Sequence, residues 1–382
     1  MKSFAAIVFL ACSLVSAQAP SASTPPAAGT PSIRTQSNLV LVPTLVRNAK
    51  GELVYSLKSG DFRVMDDGIE QHLTLDEDTG SDPLALVVAV ESGGVGRAKL
   101  DSYRNLTSVI EAVVGGVQHR VAVVAFDSTP TLVQSFTTDV DAAGHALSDL
   151  EPGDKGAAIL DGLAFSVELL RKQPPNYRRA ILLISETLDR GSQARLDDAL
   201  RVISDTNTTI YSVGFSSSKA DAAHYADREL PIHSGGNAGG ISFENAHPGP
   251  PHGCMGKDPD PDATQNKAVQ AFDCLGLLAP PLALARMAAI ATADSLQRNV
   301  PETVAQLTGG EYFKFNNSRS LVESLITISN HVPNRYVLSF QPQSPHPGFH
   351  AVELKLKGHP GLRLTARSGY WADSEANAAP RP

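Results

Sequence analysis

The chain has 382 residues, of which 42% are hydrophobic and 19% charged, and its formal net charge is -8. This length suits one large globular domain with a smaller one beside it. The acidic balance, with no basic stripe to offset it, argues against a general nucleic-acid binder. No run of about 18 apolar residues follows the N-terminal segment, so no membrane-spanning helix is predicted after that segment is removed.

The first residues resemble a bacterial secretory signal. Lys2 precedes an apolar run, and Val15-Ser16-Ala17 supplies the small residues of a cleavage site after Ala17, which predicts a signal peptide over residues 1–17. Leu10-Ala11-Cys12 offers an alternative, a lipoprotein anchored through Cys12. We therefore expect an exported chain, periplasmic or extracellular. Residues 18–36 are rich in Pro, Ala, Ser and Thr, which predicts a flexible linker.

Strands at both ends of the chain are predicted to form one β module. Residues 37–80 contain β-forming runs and a tight turn at Asp66-Asp67-Gly68, but they are too few to bury a core alone. Residues 334–372 hold three further predicted strands with the same deficiency. Pairing between the two sets is the simplest solution. Residues 373–382 are predicted to be a disordered tail.

Between these ends, residues 83–333 alternate strands with amphipathic helices. The run Leu84–Val90 is apolar throughout, as expected for a strand buried on both faces. Similar runs follow at 120–126, 179–185 and 209–215. The fold class predicted here is α/β, a doubly wound and mostly parallel sheet with the accessory β module attached.

Residues 216–280 interrupt this alternation with sequence rich in Gly, Pro, His and Ser, and we interpret them as an irregular insertion. Cys254 and Cys274 lie within it. In an exported protein they are expected to form a disulfide, and two buried thiols are the alternative.

The series from Leu84 to Asn330 resembles a von Willebrand factor type A domain. Its flanks, among them Asn38-Leu-Val-Leu-Val-Pro43, Thr308-Gly-Gly-Glu-Tyr-Phe313 and Arg367-Ser-Gly-Tyr370, look like the acidobacterial VWFA-related family of exported proteins. The resemblance implies a Rossmann-like fold and a role in binding or adhesion. It implies no defined enzymatic activity.

Domains of this type often hold Mg²⁺ or Ca²⁺ at the carboxyl edge of the sheet, in a metal-ion-dependent adhesion site built from oxygen ligands. Carried over by position, Val90 replaces the first Asp, Ser92 keeps its hydroxyl and Gly94 lacks the second one. Ala157 replaces the Thr, and Glu186 aligns with the last Asp. Too few oxygens remain, so we expect a degenerate site with neither a metal nor another cofactor.

The same edge is predicted to gather polar side chains that could bind a partner. They are Glu91, Ser92, Asp127, Asp154, Glu186 and Asp189. Without a metal to neutralise them, the carboxylates would form an acidic patch suited to a basic partner. A serine nucleophile at Ser92 is not favoured, because the nucleophile elbow requires Gly where Val90 stands.

The sequence therefore predicts an exported, non-enzymatic protein that binds another protein or a cell-envelope component without a metal. The alternative is a structural or assembly component of an envelope complex, with residues 216–280 as its contact surface. A hydrolase is the third possibility considered.

Overall fold

A computed structural model describes residues 39–372 apart from residues 77–81, 105, 195, 206, 216–297, 344 and 345. The predicted signal peptide, Cys12, the linker, the insertion with Cys254 and Cys274, and the tail lie outside the described residues. Within the described part, no helix is both long and apolar enough to cross a membrane.

A six-stranded sheet forms the centre of the α/β domain. Its strand order is β10-β9-β8-β5-β6-β7, and every neighbouring pair is parallel except β6 with β7. The strands are β5 (Leu84–Glu91), β6 (His119–Phe126), β7 (Pro130–Thr137), β8 (Arg178–Glu186), β9 (Thr209–Phe215) and β10 (Tyr312–Lys314). All eight residues of β5 are buried, and β5 pairs with β6 and β8. The prediction of a mostly parallel, doubly covered sheet is confirmed.

Helices cover both faces of this sheet. They are α1 (Leu100–Tyr103), α2 (Thr107–Val114), α3 (Val140–Ser148), α4 (Ile159–Arg171), α5 (Leu196–Asp205), α6 (Val300–Thr308) and α7 (Ser318–His331). Alternate residues of β5 enter two separate cores: Leu86 and Val88 pack with α1, α2, α3 and α7, whereas Val87 and Ala89 pack with α4, α5 and α6. This alternation follows from the two-residue period of a strand.

The β module consists of two four-stranded antiparallel sheets, with strand orders β13-β1-β11-β4 and β14-β12-β2-β3. The strands are β1 (Val40–Arg47), β2 (Phe62–Asp66), β3 (Ile69–Gln71), β4 (Leu73–Asp76), β11 (Tyr336–Phe340), β12 (Gly348–Leu356), β13 (Arg363–Ala366) and β14 (Gly369–Ala372). One apolar core, including Val42, Val64, Leu338 and Phe340, joins the two sheets. The predicted pairing of strands from both ends of the chain is therefore confirmed.

A buried ionic cluster lies where the β module meets the α/β domain. Glu311 Oε2 is 2.8 Å from His331 Nδ1 and 2.9 Å from Arg335 Nη2, and Arg47 Nη1 lies 3.6 Å from Glu311 Oε1. Burial alone would raise the pKa of Glu311, but the hydrogen bond from His331 and the charge of Arg335 hold it below the usual value. The Arg335 guanidinium also stacks 5.1 Å from the centre of the Tyr211 ring.

Candidate functional site

Four loops converge at the carboxyl edge of the central sheet, at residues 92–96, 127–129, 153–158 and 187–192. Backbone hydrogen bonds hold them together: the Gly94 amide donates to the Asp154 carbonyl at 3.0 Å, and the Gly153 amide donates to the Ser92 carbonyl at 2.9 Å. Ala157 and Arg190 exchange two backbone hydrogen bonds, of 2.9 and 2.8 Å. The structure thus brings together the loops predicted to share this edge.

The first of these loops depends on two glycines. A Cβ atom at Gly93 would lie 2.3 Å from the Gly156 carbonyl oxygen, so no side chain fits there without a backbone shift. Gly94 has φ +47°, a left-handed conformation that disfavours a serine. The second hydroxyl of the adhesion motif is therefore missing at a position where the backbone itself favours glycine.

The acidic residue that enters this edge from β5 is Glu91 rather than a residue at position 90. Val90 is fully buried and packs in the apolar core on the same face as Val88. The next side chain, that of Glu91, points to the opposite face of the sheet. Glu91 Oε1 accepts from the Gly96 amide at 2.9 Å. Its Oε2 accepts from the Glu186 amide at 2.7 Å. Val90, which aligns with the first Asp of the motif, therefore supplies no oxygen here, and the carboxylate at this edge comes from the following residue, Glu91.

Arg190 supplies the positive charge of the site. Its guanidinium forms an ion pair with the carboxylate of Glu186, which is completely buried, while the Arg190 side chain is 33% exposed. The charge of Arg190 also acts on Glu91 and lowers its pKa. The prediction did not include Arg190. The signal available in the sequence was the four-residue spacing from Glu186 to Arg190, which permits a local ion pair.

Glu91 titrates unusually for a carboxyl group. Burial, assisted by the nearby charge of Glu186, raises the pKa of Glu91 to about 7 despite the opposing backbone hydrogen bonds and the charge of Arg190. Arg190 therefore offsets the charge of Glu186, while Glu91 is mostly protonated below pH 7 and adds negative charge above it. The predicted acidic patch without a neutralising charge is therefore corrected: the neutralising group is the arginine.

The remaining predicted residues mostly stiffen the loops. The Ser92 hydroxyl donates to the Phe126 carbonyl at 3.3 Å and is buried. Asp154 Oδ1 accepts from the Ser128 and Gly156 amides at 3.1 and 2.7 Å. Asp154 is exposed and therefore accessible to a partner.

Asp127 and Asp189 have similar roles and are half-buried. Asp127 accepts from the amides of Thr129 and Asp154, at 3.0 and 3.1 Å. Asp189 Oδ1 accepts from the Leu160 amide at 3.0 Å and from the Ser192 hydroxyl at 2.6 Å. The solvent-facing part of the predicted binding edge thus reduces to Asp127, Asp154 and Asp189.

These contacts do not fit a site for Mg²⁺ or Ca²⁺. Both oxygens of Glu91 accept backbone amides, Glu186 is paired with Arg190, and Ser92 is directed to a carbonyl. Gly94 and Ala157 supply no side-chain oxygen. Such ions require six or more oxygen ligands. The Arg190 guanidinium, close to the carboxylates, would also compete with an ion for their negative charge.

The pKa of Glu91 predicts a pH-dependent stability. Because the folded value of about 7 exceeds the reference value of 4.5, the contribution of Glu91 is fully present below pH 4.5 and is lost as the pH rises through 7. We expect this loss to be about 3 kcal/mol in the free energy of unfolding. Urea unfolding at pH 5 and pH 8 should show a smaller difference for Glu91→Gln than for the wild type. An equal difference in both proteins would contradict the assignment.

Comparison with known proteins bears on the domain that carries this site. A family model described as von Willebrand factor type A domain matches residues 89–189, which include all four loops apart from the last residues of the fourth. No curated protein matches the chain.

The chain is also similar, at low identity, to several solved structures. The conserved hypothetical protein BatB from Bacteroides thetaiotaomicron is 11% identical, over 65% of this chain and 99% of that chain, with a TM-score of 0.35. An aerotolerance-related membrane protein from Bacteroides fragilis is 15% identical over 65% of this chain and 98% of that chain, with a TM-score of 0.34.

The vWF domain of the type V pili tip protein Mfa5 from Porphyromonas gingivalis is 21% identical, over 28% of this chain, with a TM-score of 0.25. This chain spans 39% of that Mfa5 chain.

Proposed function

We propose that this chain, which contains a von Willebrand factor type A domain, is an exported, non-enzymatic protein that binds another protein or a cell-envelope component without a divalent cation. The signal-like N-terminus with Ala17 and Cys12 supports export. Interaction is what the family resemblance implies, and the carboxyl edge is the surface at which such domains hold their partners.

The observation that carries this proposal is the pairing of Arg190 with Glu186 beside Glu91. In the adhesion site implied by the resemblance, a divalent cation balances the acidic residues and presents an open position to the partner. Here a covalently attached guanidinium balances them. Binding through this edge then requires no exchangeable ion, and removing metals does not weaken it.

The contacts of Ser92 support a non-enzymatic role. A serine nucleophile needs a base within hydrogen-bond reach, usually a histidine. The hydroxyl of Ser92 donates instead to a backbone carbonyl, and the four loops contain no histidine. The four loops therefore lack the base that acyl transfer by Ser92 would require.

Capture from an envelope extract of the source organism tests the proposal. The measured quantity is the amount of partner that the wild-type chain retains. This amount should be the same with and without excess EDTA. Glu151→Lys reverses an exposed charge beside the Asp154 loop and should reduce capture about fivefold. The matched control is Glu111→Lys, an exposed reversal on α2, which should have no effect.

Two outcomes would overturn the proposal. Loss of capture in EDTA, restored by Mg²⁺ or Ca²⁺, would show that binding is metal-dependent. Capture that survives Glu151→Lys but disappears on deletion of residues 216–280 would instead support the assembly role of the insertion.

A further inference from the structure

A second polar cluster lies in the β module, far along the chain from the carboxyl-edge loops. It contains Asp66 and Asp67, where β2 turns into β3. His346 lies just before β12, His350 lies near its start, and Tyr370 lies in β14. The two carboxylates, His350 and Tyr370 are buried. None of these side chains contributes to the binding edge proposed above.

We propose that Asp67, His346 and His350 bind one divalent transition-metal ion, of the class represented by Zn²⁺, and that this ion fastens the β2–β3 turn to the segment that begins β12. Asp67 Oδ2 lies 3.0 Å from His346 Nε2 and 2.9 Å from His350 Nδ1. The three atoms lie within 4.8 Å of one another. Ligands of one tetrahedral zinc ion, each about 2 Å from the metal, are separated by similar distances.

Each of the three side chains also has a partner for its other polar atom. Asp67 Oδ1 accepts from the Ala351 amide at 2.8 Å. His350 Nε2 lies 2.8 Å from the His346 carbonyl, and His346 Nδ1 lies 3.3 Å from the Pro347 carbonyl. Metal-binding histidines usually donate their second ring N–H to such a carbonyl, which fixes the ring and the tautomer. The facing nitrogens are those that would bind the ion.

The backbone supports the same geometry. Asp67 has φ +48°, an uncommon conformation for a residue with a side chain. The Asp67 amide donates to the Ala351 carbonyl at 2.9 Å, so the turn is joined to β12 through both backbone and side chain. Asp67 and Gly68 are the central residues of the β2–β3 hairpin turn, and their φ values of +48° and +80° are those of a type I′ turn. This turn places the Asp67 carboxylate beside the two imidazoles.

Two further residues complete the surroundings of the cluster. Asp66 Oδ1 lies 3.1 Å from His350 Nδ1, and Asp66 Oδ2 accepts the Tyr370 hydroxyl at 3.0 Å. The His350 ring is stacked between the rings of His346 and Tyr370, at 4.0 and 4.7 Å. Asp66 therefore adds a second negative charge, which favours a dication over a single imidazolium at this place.

The second histidine separates a metal site from a simple ion pair. His350 alone, once protonated, would satisfy both carboxylates. His346 brings a second imidazole to the same oxygen of Asp67, and its side chain is 22% exposed, which leaves a route for an ion to enter. Mixed nitrogen and oxygen ligands suit Zn²⁺ rather than Mg²⁺ or Ca²⁺. The proposed ion in the β module differs from the expectation of no cofactor, which was argued for the carboxyl edge of the central sheet.

Titration of the full chain, stripped by a chelator, with ZnCl₂ tests this inference. Calorimetry should show about one ion per chain at micromolar concentration, and the melting temperature should rise by about 5 °C at saturation. Co²⁺ in place of Zn²⁺ should give visible absorption bands of a four-coordinate ion. His346→Ala should weaken binding at least about 100-fold, because it removes a direct ligand.

Three controls keep the result interpretable. Asp67→Asn retains an acceptor for the Ala351 amide and should also lose binding, so it replaces His346→Ala if that variant does not fold. His72→Ala removes an exposed histidine near β3 and should bind normally. Cys254→Ser with Cys274→Ser should likewise leave affinity unchanged.

The inference would be overturned if stoichiometric zinc binding were absent at micromolar concentration. It would also fail if binding survived Asp67→Asn and His346→Ala but disappeared with the cysteine variants. In either case the five residues would be an ion-pair network alone, and the proposed binding at the carboxyl edge would be unaffected.

Discussion

Arg190→Ala is expected to lower the free energy of unfolding by about 3 kcal/mol at pH 8, because it removes a counter-charge that pairs with the buried carboxylate of Glu186. Removing one member of a buried pair costs more than the pair contributes, since the remaining charge stays out of water. The cost should be smaller at pH 5, where Glu91 is protonated and adds no second negative charge beside Glu186. Urea unfolding at the two pH values measures both effects.

The same variant tests whether the guanidinium replaces a metal. With Arg190 removed, Glu91 and Glu186 lose the guanidinium that offsets their charge, so millimolar Mg²⁺ or Ca²⁺ should recover part of the lost stability. The wild type should not respond to either ion. Arg97→Ala removes an exposed arginine from the neighbouring turn and should change stability by less than about 0.5 kcal/mol. An Arg190→Ala protein as stable as the wild type would refute the assigned role.

Glu311→Gln is expected to lower the free energy of unfolding by about 3–5 kcal/mol, because it leaves buried positive charge at the junction of the two parts of the molecule. Glu311 is 6% exposed and is the shared acceptor for Arg335 and His331. The amide of glutamine keeps the shape of the side chain but not its charge. The effect should therefore be electrostatic and not one of packing.

Thermal and urea unfolding of Glu311→Gln should give a single transition shifted to lower stability. The matched control is Glu323→Gln on α7, an exposed glutamate whose ion pair with Arg319 should contribute less than about 1 kcal/mol. A loss below about 1 kcal/mol for Glu311→Gln would show that the cluster adds little to the junction.

Much of the fold was predictable from the sequence because its signals are local. Buried parallel strands give continuous apolar runs, and β9 was predicted with the same bounds, Thr209–Phe215. Capping is a similarly local signal: Asp139, just before α3, accepts from the Ala142 amide at 3.2 Å.

The errors arise where tertiary packing decides the local conformation. The apolar residues from Leu100 to Val113 recur at the spacing of one helix, yet the structure has α1 and α2 separated, with no glycine or proline to mark the break. The residues Gln71–Leu75 alternate as one strand would, but they are divided between β3 and β4, which belong to different sheets. The short strand β14 was not predicted as a strand.

The candidate sites were less predictable than the fold. Adjacent residues of β5 face opposite sides of the sheet, so Val90 packs in the apolar core while Glu91 accepts from loop amides, and the contacts of Glu91 depend on loops that the local sequence does not place. Arg190 and the cluster of Asp67, His346 and His350 depend on contacts between distant parts of the chain. His346 and Asp67 are 279 residues apart, so no sequence motif joins them.

The position of β1 has a consequence for how this chain folds. β1 is flanked by β11 and β13, both encoded near the other end of the chain. During synthesis, its hydrogen-bonding edges therefore emerge long before either neighbour exists. The α/β domain, whose contacts are more local, can form first, whereas the final closure must wait for the last strands and is expected to be the slow step. Until then β1 is an unpaired apolar strand, and a chaperone that holds it would protect the nascent chain from aggregation.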